Sequence, residues 1–336
     1  MRLDASLPPG PLRQVPALAQ AAEAIGFDGL WSTETQHDPF LPLALAAEHT
    51  RRLSLGTAVA IAFARSPTVL AHTAWDLAEH SGGRFVLGLG TQVKAHIERR
   101  FGMAWPASPV NALREQIQAI RSLWQVWQQG GRPNLRGEYY RVTLMTPFFS
   151  PGPQPHPAIP IFVAGVNRGL ARLAGEVADG FLVHPYHSRR YLEELIRPAI
   201  AEGITRSGRI EAAVSLSVTA IVATTPEEEH WARRQIAFYA STPSYRAVMA
   251  LHGWAETADE LRGLSQRGGW DEMGECITQE MLSTFAVLAP EGDLPEALAE
   301  RYAGCADRLG LYLPFMPGTR DEFWRRVLDR LRDAAC

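Results

Sequence analysis

The sequence predicts an α/β fold: a (β/α)8 TIM barrel in one domain over residues 1–336, carrying two insertions. Three observations predict it. Short β-rich runs alternate eight times with amphipathic runs of helical period, the order that builds a parallel sheet covered by helices. Several strand-to-helix joints carry helix-start chemistry. No G-x-G-x-x-G follows the first strand, where an open dinucleotide-binding sheet would place it, and this favours closure over an open doubly wound sheet.

The first pair is a strand over 2–5 and a helix over 12–25. Val15, Leu18, Ala19, Ala22 and Ile25 fall on one face of that helix, and Gly26 stops it. The second strand covers 29–33, with Asp38-Pro39 starting the next helix. The third covers 53–60; Ser66-Pro67 then supplies an N-cap and a proline at the first helical position, and Gly82-Gly83 ends the helix. The fourth strand is 85–89, followed by a helix over 111–128 with Leu113, Ile117, Ile120, Leu123 and Trp124 at helical spacing.

A stretch over about 130–158 holds Pro133, Pro147, Pro151, Pro153, Pro155 and Pro157, too many for helix or central strand. Regular alternation resumes directly after it, so it reads as an insertion, with 138–144 as one arm of a hairpin. Strand five (160–164) precedes a helix over 168–178, and strand six (180–183) a helix over 189–202. Strand seven (213–223) runs into a capping box, Thr225-Pro226-Glu227-Glu228. A mainly helical second insertion spans about 241–290. Strand eight (308–313) is followed by a second capping box, Thr319-Arg320-Asp321-Glu322, opening the terminal helix.

Composition narrows the function. With 33 Lys+Arg against 36 Asp+Glu the net charge is -3, and only Lys94 is a lysine, so there is no cationic surplus to hold nucleic acid or an anionic membrane. Cys276, Cys305 and Cys336 show no metal-site or disulfide spacing. The longest apolar run, 58–64, falls far short of the ~20 residues of a membrane helix. The expectation is a cytoplasmic protein with a small-molecule substrate, with room for a homodimer. No nucleophile elbow, Walker loop or H-E-x-x-H helix is present.

In such a barrel the site sits beyond the C-terminal ends of the strands, which selects a short list of residues. After strand two come Glu34 and His37; His37 reads equally as a residue packed at the start of the next helix. After strand four come Gly90, Thr91 and Gln92, where backbone can approach a ligand or simply turn. After strand five, Gly165, Val166 and Asn167 lead into a helix N-terminus able to receive a phosphate. After strand six, His184 and His187 stand three residues apart, but no third ligand is near, so no metal is assigned. Arg65 and Lys94 are possible anion contacts. Mostly neutral polar groups around a glycine-rich apolar mouth suit an organic cofactor that carries the chemistry itself.

These segments resemble the bacterial luciferase-like oxidoreductases, which use flavin or the deazaflavin coenzyme F420. The resemblance rests on Gly26-Phe27-Asp28-Gly29-Leu30-Trp31, on Leu55-Gly56-Thr57-Ala58-Val59 leading to Arg65-Ser66-Pro67, and on Ser81-Gly82-Gly83-Arg84-Phe85-Val86-Leu87-Gly88-Leu89-Gly90. Ile159-Pro160-Ile161-Phe162-Val163-Ala164-Gly165 and Ala178-Asp179-Gly180-Phe181 extend it over most of residues 1–225. It implies a cofactor ring against Ala58, Val59, the Gly90-Thr91-Gln92 loop and His184, with a cis peptide between Ala58 and Val59, and a phosphate-bearing tail at Gly165, Val166 and Asn167. Gly165→Val should then weaken cofactor binding while leaving the fold intact.

Two departures stand out. The loop after strand two reads Glu34-Thr35-Gln36-His37 where many deazaflavin enzymes have Asp-His, and Gln92 and Val93 stand where the family's sugar-phosphate dehydrogenases carry a glutamate. The resemblance implies hydride transfer between coenzyme F420 and an organic substrate, with His37 as acid/base and Glu34 or His184 as its substitutes. A reduced-FMN monooxygenase is the alternative, and a catalytically silent cofactor-binding protein a third.

Overall fold

The computed structural model describes residues 1–209 and 214–333, so the expected start of strand seven at Ala213, and Cys336, lie outside the described residues. Eight strands form the barrel: β1 Arg2–Ser6, β2 Gly29–Ser32, β3 Ser54–Thr57, β4 Phe85–Gly90, β5 Ile161–Gly165, β6 Gly180–Val183, β7 Ser215–Ala223 and β8 Arg308–Leu311. Each pairs in parallel with the next, and β1 pairs with β8 in the register Arg2↔Arg308 and Leu3↔Leu309, which closes the sheet. Closure leaves the eight barrel strands without a free edge between them, and because these strands point one way, every residue just beyond the C-terminal end of one shares one mouth.

Inside the barrel Trp31, Val86, Phe162 and Leu182 form one layer, with Ala58, Val59 and Ala164 resting on it, only partly buried. Asp4 of β1 and Arg308 of β8 form a buried bidentate pair within the barrel, Arg308 donating through Nε (2.8 Å) and Nη2 (2.6 Å). The helices cover the outside. Ser66 caps the helix Pro67–His80 through its hydroxyl, which accepts from the Val69 N–H as the sequence predicts. The helix after β6 is one piece with a π turn at Leu192–Ile196, next to Pro198, which has no N–H to continue the regular ladder.

Four expectations change. The run 53–60 is not one strand: after β3 the chain breaks at a cis Ala58–Val59 peptide, and Ala60–Ile61 resumes pairing with β4. A short helix, Lys94–Arg99, follows the β4 loop, where no helix was expected. Thr319 does not cap the last helix, Asp321–Asp333; it lies too early, and its hydroxyl donates to the Met316 carbonyl.

The fourth change concerns β7. This strand runs on far enough for Ile221–Ala223 to pair with a further parallel strand, Ala286–Leu288. Thr225 does cap a helix, Pro226–Ala240, its hydroxyl accepting from Glu228 N–H, but that helix packs with Ala255–Arg267 and Gln279–Phe285. Leu294–Tyr302 packs beside Asp321–Asp333 instead, in the position of the barrel helix between β7 and β8. The residues from Pro226 to Phe285 thus stand beyond the C-terminal end of β7.

The proline-rich stretch forms a small hairpin, Leu135–Arg136 with Arg141–Val142. The Glu115 carboxylate accepts from the N–H groups of Glu138, Tyr139 and Tyr140, which ties the hairpin turn to the first third of the helix Pro109–Gln129. Among the described residues no helix is long and apolar enough to cross a membrane.

Candidate active site at the barrel mouth

The floor of the mouth follows from the broken third strand. Ala58 N–H donates to Ser32 O (2.7 Å), Glu34 N–H to Val59 O (3.3 Å) and Ile61 N–H to Glu34 Oε2 (2.7 Å), so the loop after β2 satisfies the groups that the break takes out of the ladder. Ala58, Val59 and Ala164 present a small apolar platform above the Trp31 layer. Gly90 ends β4 against it: a Cβ there would lie 2.6 Å from Val59 Cγ2, so this glycine lets strand and platform meet. Among the described residues Gln92 is the non-glycine residue with positive φ (58°), and its Oε1 accepts from Val93 N–H.

Glu34 is committed. Besides Ile61 N–H it accepts from Arg65 Nη1 at 2.6 Å, and Arg65 reaches on to Asp38 at 3.3 Å and lies over the Phe40 ring. Arg65 is therefore neutralised by two carboxylates, and the sequence reading of it as a free anion contact is corrected. Arg100 donates to Thr35 O, joining the rim after β4 to the rim after β2. His37 is exposed on that rim, beside a shallow cleft shared with Pro8, Pro9 and Ser32. Lys94 is exposed too, 3.8 Å from Glu98.

At β5, Asn167 Oδ1 accepts from Leu170 N–H and caps Arg168–Val177. The N–H groups of Arg168 and Gly169 belong to the same first turn, where regular helix bonding supplies no acceptor. Val166 is buried, and its carbonyl accepts from Tyr191 Oη. A Cβ at Gly165 would lie 2.7 Å from Leu170 Cβ and 2.8 Å from Leu170 Cδ1. The glycine is therefore required where β5 turns into its own helix, and the expectation that Gly165→Val leaves the fold intact is corrected.

Across the mouth stands His184. Tyr186 N–H donates to its Nδ1 (3.1 Å), so the ring proton sits on Nε2. Its ring packs edge-on against Tyr239 (centroids 4.5 Å apart) and at a tilt of 53° against Tyr245 (4.9 Å). Burial, with the neighbouring His187 adding to it, pushes its pKa down to about 3, so it is neutral at physiological pH. His187 Nδ1 donates to His184 O (2.9 Å) and its Nε2 accepts from Tyr302 Oη (3.2 Å), so both its nitrogens are occupied. Among the described residues no three potential metal ligands come together.

Three residues at this wall were missed by the sequence reading. Tyr239 and Tyr245 come from the segment beyond β7, where no local pattern marks them. Tyr312, whose hydroxyl lies 2.6 Å from that of Tyr239, follows β8 directly; the strand was expected to run to 313, which hid it.

The structure thus brings Glu34, Ala58, Val59, Gly90, Thr91, Gln92, Gly165, Val166, Asn167 and His184 to one end of the barrel, with His37 on its outer rim. The family profile described as "Luciferase-like monooxygenase" matches residues 2–309. An uncharacterized protein of Mycobacterium tuberculosis is 47% identical over 99% of this chain and 98% of its own length. A putative coenzyme F420-dependent oxidoreductase of the same species is 30% identical over 81% of this chain and 82% of its own. The solved coenzyme F420 dependent tetrahydromethanopterin reductase from Methanopyrus kandleri superposes with a TM-score of 0.79 over 99% of this chain and 98% of that one; at 19% identity this likeness shows the fold alone.

Proposed function

Since this chain belongs to the luciferase-like monooxygenase family, we propose that it is an oxidoreductase that holds the deazaflavin coenzyme F420 across the barrel mouth and acts on an organic substrate above it. When bound, that coenzyme supplies hydride transfer. The observation that carries the proposal is the platform of Ala58, Val59 and Ala164: a partly exposed apolar surface, with a helix N-terminus on one side and neutral hydrogen-bonding groups around it. These residues fit a planar heterocycle with an anionic tail.

In this reading Gly90, Thr91 and Gln92 border the ring. Gly165, Val166 and Asn167 bring the first-turn N–H groups of Arg168–Val177 to the tail, since an anion is favoured at that end of a helix. His184 donates from Nε2 and, being neutral, binds rather than exchanges protons. Glu34, spent on Arg65 and Ile61 N–H, holds the platform in place. That leaves His37, on the rim, to pass the proton that accompanies hydride transfer between substrate and solvent.

Thermal unfolding of the full chain with coenzyme F420, FMN, FAD or NADPH tests this. A ligand at a hundredfold excess over Kd stabilises by about 2.7 kcal/mol, so coenzyme F420 should raise the midpoint where the others do not. Stabilisation by FMN alone would transfer the proposal to a second reading, a reduced-FMN monooxygenase, which the family's description favours. Stabilisation by none of them would end both.

A further inference from the structure

The geometry points to a binding subsite for an uncharged, planar ring of the substrate on the aromatic wall beyond β7 and β8. His184, Tyr239, Tyr312 and Trp231 form a continuous row: His184 meets Tyr239 edge-on, the Tyr239 and Tyr312 hydroxyls are 2.6 Å apart, and Trp231 stacks on Tyr312 with centroids 5.6 Å apart at 28°. The row is anchored at the site and opens outward. Trp231 is 42% exposed and Phe238, seven residues on and on the same face of the helix Pro226–Ala240, is 49% exposed. Phe238 lies against Tyr239 and against Trp270, itself 50% exposed.

Large aromatic surfaces gain from burial and offer faces suited to offset stacking, so half-exposed rings continuous with a site mark a place where a ring docks. The charges around them select the ligand. Arg234 pairs with Asp271, Arg320 with Glu228, and Arg233 donates to Ile277 O, so each of these neighbouring cations is engaged. An anionic group would have to compete with Asp271 and Glu228 for two of them and with the Ile277 carbonyl for the third. That the docked ring belongs to a substrate rests on the oxidoreductase reading above.

Titration calorimetry of the full chain with 2-naphthol, trans-2-decalol and naphthalene-2-sulfonate tests the subsite. These probes share a bicyclic frame and differ in planarity or charge. 2-Naphthol should bind at least tenfold more tightly than either of the others; Trp231→Ala should weaken it tenfold or more, and Trp231→Phe should retain most of the affinity. Trp270→Ala serves as a second, half-exposed site should Trp231→Ala fail to fold. Equal affinity for the three probes, or 2-naphthol binding untouched by both alanine variants, would overturn the subsite. Naphthol binding as expected, with neither coenzyme F420 nor FMN raising the thermal midpoint, would leave the subsite standing and remove the oxidoreductase reading.

Discussion

Burial decides what His184 can do. Its pKa falls to about 3 and that of His187 to about 4, each because the charged ring loses water. Both then bind fewer protons folded than unfolded between their ordinary value of ~6.5 and these depressed values, so stability falls as pH drops through that window. Thermal midpoints measured from pH 7 to 4.5 should decline, and His184→Gln should decline less steeply than the native chain. If the two slopes coincide, the ring is not held neutral. His37 has no such burial and keeps its access to solvent. His37→Ala should lower kcat about 10²–10⁴-fold with little change in coenzyme affinity, as removal of an acid/base group does; turnover within twofold of normal would remove His37 from the proposal and leave the proton to water.

Among the elements, the junction after β5 separates a structural role from a binding one. Gly165 cannot accept a side chain without displacing Leu170, so a larger residue there reports on folding first. Asn167 is the better probe, because its side chain accepts from the Leu170 N–H of its own helix and so acts as a cap. Asn167→Ala should cost about 1 kcal/mol in chemical denaturation, the usual loss of an N-cap, and should weaken an anion bound at that helix end. A denaturation midpoint equal to the native one would mean the cap is redundant. The same scale shows where sequence reasoning stopped: Ser66 and Thr225 cap helices as their motifs require, whereas Thr319 lies too early to cap the helix that begins at Asp321. A capping motif states that a helix starts, and nothing in it states which layer the helix joins, as Pro226–Ala240 demonstrates.

For the molecule as a whole, closure depends on a contact between residues 304 apart in sequence, Arg308 and Asp4. Both side chains are almost fully buried, so removing one partner strands a charge inside the barrel. Asp4→Ala should cost about 3–5 kcal/mol in denaturant unfolding, far more than loss of an exposed pair such as Arg246–Asp259. A loss under 1 kcal/mol would show that the strand ladder alone secures closure. The platform, the helix N-terminus at Asn167 and the wall at His184 hang on β3, β5 and β6 of this one closed sheet, so their relative positions are set together.

By itself the sequence determined the barrel and the end of it that carries the candidate site, because period, caps and strand order are local signals that add up over eight repeats. It also placed Gly90, Gly165 and His184 at or directly after strand ends, whereas Ala58 and Val59, read as part of one strand over 53–60, entered the candidate site only through the family resemblance. Tertiary structure alone decided their chemistry. That Glu34 is spent on Arg65, that His184 is neutral and that Tyr239 and Tyr312 complete its wall depend on burial and on partners from distant segments. Desolvation and pairing act through space, and no spacing along the chain records them.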